Sequence, residues 1–407
     1  MGESKQRLKI AFLTALTLQD TRSSWRITNR YMAHVLEKYC GDITYIDPID
    51  IRELFIGKLI NKGSQMLFKK GFMYYHSVYI ARKFARLLAQ RLEGQAFDII
   101  FGPSCATEVA YLETDIPIVL TEDANVAALL NYYPQFSNLL KRSYYEANLV
   151  EGLGLKRASL SLYPSEWGSR SARENYQIEA GKVYTVPYGT NIDNPPPLEV
   201  VQRRKKSDRC KLFFIGVDWE RKGGAIAFET LLKLEALGIQ AELTICGCVP
   251  PSQFTHERMR VIPFLDKKIE SQRREMESLF ETSDFLFLPT RGEAYGMVFC
   301  EASSFGLPSI TTNTGGVSGA VTEGVNGFML PPEAGGAEYA ELIARVYRDD
   351  RLYADLVQSS RAAYEERLNW DAWGKTVTAL IHEMLERKNH VGIKQNPAVA
   401  MGTSGAI

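Results

Sequence analysis

The residues of this sequence with the clearest chemical potential are two glutamates on either side of a glycine-containing turn, in the segment Pro289–Ala302. The segment follows an apolar run, Phe285–Leu288, that is typical of a buried strand. Glu293 lies in the predicted loop and Glu301 lies inside the helix predicted to follow. Each carboxylate can accept hydrogen bonds, one from a sugar hydroxyl and the other from a ribose diol. A solvated loop glutamate and a surface helix glutamate are the weaker interpretation, because the pair follows a buried strand.

The start of the predicted helix adds a site for an anion. Backbone N–H groups near Gly296, Met297 and Val298 have no partner within such a helix, and the positive end of a helix attracts phosphate groups. We therefore expect Gly296, Met297 and Val298 to bind a diphosphate, and Tyr295 to belong to the same donor site, in which the two glutamates bind hydroxyl groups.

A second candidate site follows another predicted strand, where the chain reads Ile-Gly-Val-Asp-Trp-Glu-Arg-Lys-Gly-Gly over residues 215–224. Arg221 and Lys222 immediately precede a predicted helix, where cations are disfavoured by the helix dipole. That position weakens the interpretation of two ordinary solvated charges. Fixed cations at such a position would stabilise negative charge on a ligand.

The elements that must position these residues alternate between short apolar strands and helical stretches, the pattern of a parallel sheet covered by helices. The sequence predicts two Rossmann-like α/β domains, with a ligand cleft at the carboxyl ends of their strands. The predicted strands are Leu8–Leu13, Ile43–Ile46, Asp98–Phe101, Ile116–Leu120, Ala158–Tyr163, Lys182–Val186, Cys210–Ile215, Ala241–Ile245, Met259–Ile262, Asp284–Leu288 and Leu307–Thr311.

The domain boundaries follow from a change in pattern around residue 194. Residues 194–206 include Pro195–Pro197 and show no periodicity, so they are predicted to link a first domain, 1–193, to a second, 207–370. A last helix is predicted over 371–388, and the polar residues 389–407 are predicted to be disordered.

The two glutamates and the Glu-Ala-Ser-Ser-Phe-Gly-Leu-Pro-Ser-Ile that begins at Glu301 resemble the donor site of retaining GT-B glycosyltransferases of family 4. Thr314–Gly316 and Glu323–Gly327 match the glycine turns of that family, although its acidic residue near Ser318 is not evident. The resemblance covers the second half of the chain well and the first half weakly. It implies a GT-B fold with two Rossmann-like domains that face a central cleft. It also implies that helix 371–388 completes the first, acceptor-binding domain.

The resemblance also implies roles for individual residues. Glu293 would orient the donor sugar, Glu301 would hold the ribose, and Lys222 matches a lysine that neutralises the diphosphate. Val217 departs from the arginine of the family, so Arg221 is expected to supply that charge. Phe264 and Leu265 would lie beside the nucleotide base. Their identity does not distinguish uracil, guanine and adenine.

The first domain departs further from the family. Ser23-Ser24 stands where the family often has paired glycines, and Asp123 where it often has a histidine near the reacting sugar. Asp123 is accordingly a candidate catalytic residue beside Glu293 and Lys222. An Asx turn or a helix cap at Asp123 explains that residue equally well.

The function expected is transfer of a glycosyl unit from a nucleoside-diphosphate sugar to a hydroxyl acceptor, with retention. The acceptor is a glycan, a lipid-linked molecule or a small molecule. No Asp-x-Asp metal signature is present, so the reaction is expected to need no metal and no cofactor. A catalytically silent nucleotide-sugar binding protein of the same fold is the alternative. An NAD-dependent oxidoreductase is disfavoured, since Gly152-x-Gly154 lacks a third glycine and a preceding strand.

Composition limits the remaining classes. The 48 basic and 48 acidic residues balance, which argues against a nucleic-acid binder. The six scattered cysteines are predicted to be buried free thiols of a reducing compartment. A hydrophilic start without a signal peptide, and the lack of a long apolar run, predict a cytoplasmic protein, with attachment to the inner membrane surface as an option.

One stretch of the first half has a polarised composition. Residues 54–92 hold eight lysines and arginines and no acidic residue, and Phe68, Phe72, Tyr74, Tyr75 and Tyr79 lie among the basic residues. A solvated helix face whose aromatic residues belong to the core is slightly favoured over a surface that binds anionic lipid headgroups.

Overall fold

The computed structural model describes residues 7–14, 24–49 and 51–395. Internal contacts divide the chain into two compact units. The first unit comprises the chain up to Tyr163, Ser171–Val186 and the chain from Gly374 onward, and the second comprises Pro164–Arg170 and Pro187–Trp373.

The first unit is built on a six-stranded parallel sheet. Its strands are β1 (Leu8–Leu13), β2 (Gly41–Ile46), β3 (Ile99–Pro103), β4 (Ile118–Thr121), β5 (Leu160–Tyr163) and β6 (Val183–Thr185). They lie in the order β2-β1-β3-β4-β5-β6. Strands β3, β4 and β5 are buried along their whole length, because helices cover both faces of a parallel sheet.

The helices of the first half connect these strands. They are α1 (Ser24–Tyr39), α2 (Glu53–Phe68), α3 (Val78–Leu92), α4 (Ala106–Val109), α5 (Val126–Leu129), α6 (Lys141–Arg157) and α7 (Glu166–Asn175). Short 3-10 turns occupy Tyr74–His76, Pro134–Phe136 and Ala180–Lys182.

The second unit has its own six-stranded parallel sheet. Its strands are β7 (Cys210–Ile215), β8 (Ala241–Cys246), β9 (Met259–Ile262), β10 (Phe285–Leu288), β11 (Ser309–Thr312) and β12 (Gly327–Leu330). They lie in the order β12-β11-β10-β7-β8-β9. From β7 the chain builds outward through β8 and β9 and then returns to β10 on the other side, which is the order of a doubly wound Rossmann sheet.

The helices of the second half complete the described structure. They are α8 (Leu198–Gln202), α9 (Gly224–Ala236), α10 (Glu270–Thr282), α11 (Met297–Ser304), α12 (Val317–Ala320), α13 (Gly336–Arg348), α14 (Asp350–Glu366) and α15 (Trp370–Gln395). Helix α15 begins in the second unit and enters the first at Gly374. There Gly374 lies against α1, since a Cβ at this position would be 2.9 Å from Cβ of Val35.

The predicted fold class, two Rossmann-like α/β sheets, is confirmed. All the predicted strands are present, with each end within two residues of its predicted position, and β12 is an additional strand that the sequence analysis missed. Helix α8 lies inside the predicted linker, and α15 continues past residue 388 to Gln395. The pair Ser23-Ser24 straddles the boundary of the described residues, and 396–407 lie outside them. All six cysteines are described, and each is buried without a disulfide.

No helix of the described residues is both long enough and apolar enough to cross a membrane.

The first unit buries several carboxyl groups. The Tyr75 hydroxyl donates to Oε1 of Glu108, and the Tyr163 hydroxyl donates to Oε1 of Glu122 at 2.9 Å. Burial raises the pKa of Glu108 and of Glu151 to about 7, and it raises the pKa of Glu122 as well.

These raised values predict how Glu108 affects stability. An unfolded glutamate has a pKa of about 4.3, so between about pH 4.3 and 7 the folded state keeps a proton that the unfolded state releases. The contribution of Glu108 to the free energy of unfolding is therefore present below this window and is lost as pH rises through it. We expect Glu108→Gln to be less destabilised than the wild type when pH rises from 5 to 8, measured by urea unfolding.

Burial also lowers the pKa of His76 to about 4. This shift raises the free energy of unfolding as pH rises over the lower part of the window, opposite to the effect of Glu108. The effect of Glu108 is therefore read from the difference between the variant and the wild type. Glu113→Gln, at an exposed position of the same unit, serves as the control. An identical pH dependence for Glu108→Gln and the wild type would contradict the prediction.

Candidate functional site

The candidate site of the second unit lies where the order of strands in its sheet reverses. Strands β7 and β10 are neighbours. The strands that follow β7 are added on one side of this pair, and those that follow β10 are added on the other. The carboxyl ends of two such strands are the usual ligand site of these sheets. Arg221 and Lys222 lie in the loop after β7, and Glu293 lies in the loop after β10.

The two loops bring together the three charged residues predicted from the sequence. The Lys222 Nζ atom forms an ion pair with Oε2 of Glu293. Nη1 of Arg221 lies 3.8 Å from the same oxygen. Only 11% of the Lys222 side chain and 13% of the Glu293 side chain are exposed, so solvent screens this pair less than it screens a surface ion pair.

Hydrogen bonds to backbone carbonyls join the two loops. Arg291 N–H donates to the Arg221 carbonyl at 2.7 Å, and the Arg221 guanidinium donates to the Gly292 carbonyl at 2.9 Å. The Thr290 hydroxyl also donates to the Arg221 carbonyl at 3.2 Å. Arg221 thus fixes the loop that carries Glu293 as well as contributing charge to the site.

Gly223 explains why the loops can approach so closely. Its φ is +77°, which side chains rarely adopt, and a Cβ there would lie 1.9 Å from the Pro289 carbonyl oxygen. This glycine begins α9 directly after Lys222. The double glycine at 223–224 is therefore a requirement of loop packing.

We expect Gly223→Ala to destabilise the second unit far more than Gly238→Ala does. Both glycines have φ near +75°, but a Cβ at Gly238 would meet nothing within 4 Å. The shared backbone penalty is about 1–2 kcal/mol, and only Gly223→Ala adds a steric clash with the backbone. Urea unfolding of both variants measures the difference. Equal losses would show that Pro289 moves aside without cost.

The predicted anion site is the start of α11. Gly296 precedes Met297 with φ of +90°, a conformation that suits glycine. The Gly316 N–H donates to the Glu293 carbonyl at 3.0 Å and fixes the loop that leads to this helix. The backbone N–H groups of Met297 and Val298 are thereby held at the helix start, beside the loop of Glu293.

Tyr295 has its side chain in the core. It is only 2% exposed, and its hydroxyl donates to the Tyr188 carbonyl at 3.1 Å. Burial raises the pKa of this hydroxyl well above its ordinary value, so it remains a donor. If Tyr295 contacts a nucleotide sugar, it must therefore do so through its backbone.

Glu301 has a partner that the sequence analysis missed. Lys267 Nζ lies 2.9 Å from Oε1 of Glu301, whose side chain is only 7% exposed. Lys267 follows β9 in a Leu-Asp-Lys-Lys run. Its place after a strand end of the second sheet is a signal that could have identified it, but nothing in the sequence pairs it with Glu301.

The predicted base neighbours differ in exposure. Phe264 is 65% exposed and Leu265 is 8% exposed. Both lie in the loop between β9 and α10, as does Lys267. Val217, which stands where the family has an arginine, is 75% exposed.

Asp123 belongs to the first unit and lies in the loop between β4 and α5. The helix cap considered for it is made by Asn125 instead, whose side chain accepts from the Ala128 N–H at 3.2 Å. The cap explanation for Asp123 is therefore wrong. Its half-buried side chain has other interactions, and its catalytic role stays a prediction.

Among the residues that the structure describes, no group of three or more histidine, cysteine, aspartate or glutamate residues is arranged to hold a metal ion. The charged cluster of Arg221, Lys222 and Glu293 can instead bind an anion through its cations and a hydroxyl through its carboxylate.

A known sequence family is similar to the part of the chain that carries these loops. The family described as glycosyl transferases group 1 matches residues 199–363, a range that contains both candidate loops. The D-inositol 3-phosphate glycosyltransferase of Paenarthrobacter aurescens (strain TC1) is 22% identical over 311 residues, which cover 72% of this chain and 74% of that protein. The enzyme of the same name from Xylanimonas cellulosilytica is 29% identical over 223 residues, 48% of this chain and 50% of that protein.

Solved structures resemble the fold of nearly the whole chain. Sucrose-phosphate synthase from Thermosynechococcus elongatus aligns with a TM-score of 0.66 at 17% identity, over 94% of this chain and 100% of that one. Anabaena Alr3699/HepE, solved in complex with UDP and glucose, aligns with a TM-score of 0.60 at 14% identity, over 93% of this chain and 100% of that one. At these identities the likeness establishes the fold.

Proposed function

We propose that the chain is a GT-B glycosyltransferase of the group 1 family, and that it transfers a hexosyl unit from a nucleoside-diphosphate sugar to a hydroxyl group with retention at the anomeric carbon. The observation that carries this proposal is the cluster of Lys222, Arg221 and Glu293 at the reversal point of the second sheet, within the segment that matches the family.

The two cations would stabilise the leaving nucleoside diphosphate. Negative charge develops on the diphosphate as the bond to the sugar breaks, and fixed positive groups lower the barrier most when they require no reorganisation. Lys222 is nearly buried, and Arg221 is anchored to the opposite loop. The N–H groups at the start of α11 would add hydrogen-bond donors on the same side.

Glu293 would then act on the donor sugar. In the structure its carboxylate pairs with Lys222, and a bound diphosphate would attract the same ammonium group. The carboxylate would accept hydrogen bonds from sugar hydroxyls and orient the anomeric carbon. This arrangement suits a donor that brings an anion and a hydroxylated ring to adjacent positions.

Glu301 would hold the ribose of the nucleotide. Lys267 already orients the carboxylate through Oε1, and the ribose diol would bind at its other oxygen. Phe264 and Leu265 lie three and two residues before Lys267 in the same loop and are proposed as neighbours of the base. Their side chains do not select among uracil, guanine and adenine.

We propose that the reaction needs no divalent cation and no cofactor, since Arg221 and Lys222 supply positive charge to the diphosphate. Asp123 is proposed to contact the acceptor or the reacting sugar from the first unit. The acceptor hydroxyl belongs to a glycan, a lipid-linked molecule or a small molecule. D-inositol 3-phosphate is the first to test, because curated relatives carry its name.

A donor screen followed by a transfer assay tests the proposal. A nucleotide sugar that binds only the folded state raises the melting temperature, so UDP-, GDP- and ADP-sugars are compared first. The best donor is then incubated with acceptors with and without EDTA. We expect acceptor-dependent release of nucleoside diphosphate, unaffected by EDTA, and a product with the anomeric configuration of the donor by proton NMR.

Three results would contradict parts of the proposal. Donor binding without turnover for any acceptor would indicate a silent nucleotide-sugar binding protein. A product with inverted anomeric configuration would contradict only the proposed retention. Loss of activity in EDTA that a divalent cation restores would contradict only the proposed metal independence.

A further inference from the structure

Helix α2 of the first unit has its apolar side chains on the outside. Seven large apolar residues of this helix are between 52% and 78% exposed: Phe55, Ile56, Leu59, Ile60, Met66, Leu67 and Phe68. A helix of a globular protein normally turns such residues toward the core. A contiguous exposed apolar surface of this kind marks an interaction site.

The inward face of α2 is made of small and polar residues instead. Gly57 and Ser64 are its buried residues, and Gly57 lies against the Tyr74 ring, 2.5 Å from where a Cβ would be. The Asn61 side chain accepts from the Phe72 N–H at 2.8 Å. These residues lie at intervals of three and four, so the helix is fixed by one narrow face. Six of the seven exposed apolar residues lie on the opposite face, whereas Phe68 continues the packed face at the end of the helix.

The neighbouring helix α3 buries its apolar residues, in contrast to α2. In α3 the apolar residues Ile80, Phe84 and Leu88 are buried. The expectation that the aromatic residues of the 54–92 stretch belong to the core is right for Phe84 of α3, whereas it is wrong for Tyr79 of α3 and for Phe55 and Phe68 of α2.

Positive charge borders the exposed face. Lys58 and Lys62 are exposed and lie one helical turn apart. Lys69 and Lys70 follow the end of the helix. Lysines beside an apolar face can extend their ammonium groups to a phosphate layer while their methylene chains remain on the apolar side.

The chain beyond α2 adds a second basic and aromatic segment at the same end. The Gly71 N–H donates to the Asn138 carbonyl at 2.9 Å, and the Leu140 N–H donates to the Gly71 carbonyl at 2.9 Å. These bonds place the start of α6 next to the end of α2. Lys141, Tyr144 and Tyr145 are exposed there, and tyrosine and lysine are typical of the membrane–water interface.

We propose that the exposed face of α2 docks on the surface of an anionic lipid bilayer, with its apolar residues at the headgroup boundary and Lys58 and Lys62 on lipid phosphates. Charge complementarity selects this occupant: residues 54–92 contain no acidic residue, whereas the chain as a whole is neutral. An amphipathic helix of this kind lies in the plane of the interface.

Flotation of the full chain with lipid vesicles tests the proposal. Vesicles of phosphatidylcholine alone are compared with equal mixtures of phosphatidylcholine and phosphatidylglycerol. We expect flotation with the mixed vesicles, weakened by high salt. The double variant Phe55→Gln/Leu59→Gln should reduce binding by at least about tenfold, because it removes two apolar side chains from the interface.

The matched control for the apolar residues is Val200→Gln, at a position of the second unit that is 56% exposed. Lys58→Gln/Lys62→Gln should also reduce binding to mixed vesicles by about tenfold or more. Lys205→Gln/Lys233→Gln changes the net charge equally at exposed positions elsewhere and should leave binding unchanged. Circular dichroism and thermal unfolding verify that each variant is folded.

Neither donor nor acceptor enters this measurement, so its result is independent of the proposed reaction. Flotation of the α2 variants at wild-type levels would overturn the proposal, as would the lack of flotation of the wild type. A wild-type dimer in analytical ultracentrifugation that Phe55→Gln/Leu59→Gln abolishes would also overturn it, because the face would then contact a second copy.

Discussion

Replacing Glu293 with glutamine is expected to lower kcat/KM for sugar transfer by about 10³-fold, the loss typical of a group that acts on the transition state. Glutamine keeps the size of the side chain but cannot pair as an anion with Lys222 and Arg221. It also offers the donor sugar one acceptor oxygen instead of two. The assay is acceptor-dependent release of nucleoside diphosphate under subsaturating donor.

The control is Glu281→Gln, at an exposed position of α10 in the same unit. Loss of the ion pair is also expected to cost about 1–3 kcal/mol of unfolding free energy, so activity is measured well below the melting temperature of each variant. Transfer at the wild-type rate by a folded Glu293→Gln protein would remove Glu293 from the site.

Replacing Lys222 with glutamine is expected to lower kcat by about 10²–10³-fold. Lys222 lies 8% exposed between the two loops, where a positive charge acts strongly on a developing diphosphate anion. A fall in kcat with little change in KM would show that the charge acts in the transition state, whereas a rise in KM alone would show uniform binding. Lys222→Arg is expected to retain part of the rate, because it keeps the charge but not the shape.

Lys233→Gln, at an exposed position of α9, provides the matched control for the loss of one charge. The double variant Glu293→Gln/Lys222→Gln gives a further check. Because the two side chains are in contact, their effects on kcat are expected to be non-additive. A kcat of Lys222→Gln equal to that of the wild type would contradict the assignment of Lys222 to the leaving group.

The sequence predicts the architecture well because apolar runs such as Phe285–Leu288 have to be buried on both faces. Strand β12 escaped prediction since its residues, Gly-Phe-Met-Leu, are few and only partly buried. It is specified by parallel pairing with β11, which registers Ser309 opposite Gly327. Pairing partners of this kind depend on the tertiary fold.

The candidate site divides in the same way. Local patterns predict that Glu293 and Lys222 are special, because each follows a buried strand and precedes a helix. They do not predict that Arg221 binds the Gly292 carbonyl, that Tyr295 lies in the core, or that Lys267 pairs with Glu301. Those contacts arise from the order of strands, which brings distant loops to one edge of the sheet. The exposed face of α2 escaped for a related reason, since composition does not say which side of a helix packs.

The path of the chain through the two units has a consequence for biosynthesis. The first unit includes residues made after the second unit, since α15 from Gly374 onward belongs to it and packs against Val35 of α1. Domains commonly complete folding in the order in which a ribosome produces them. Here the second unit ends at Trp373, so it can close while the first still lacks its final helix. The N-terminal sheet is therefore expected to complete its packing only after the whole second unit has been synthesised.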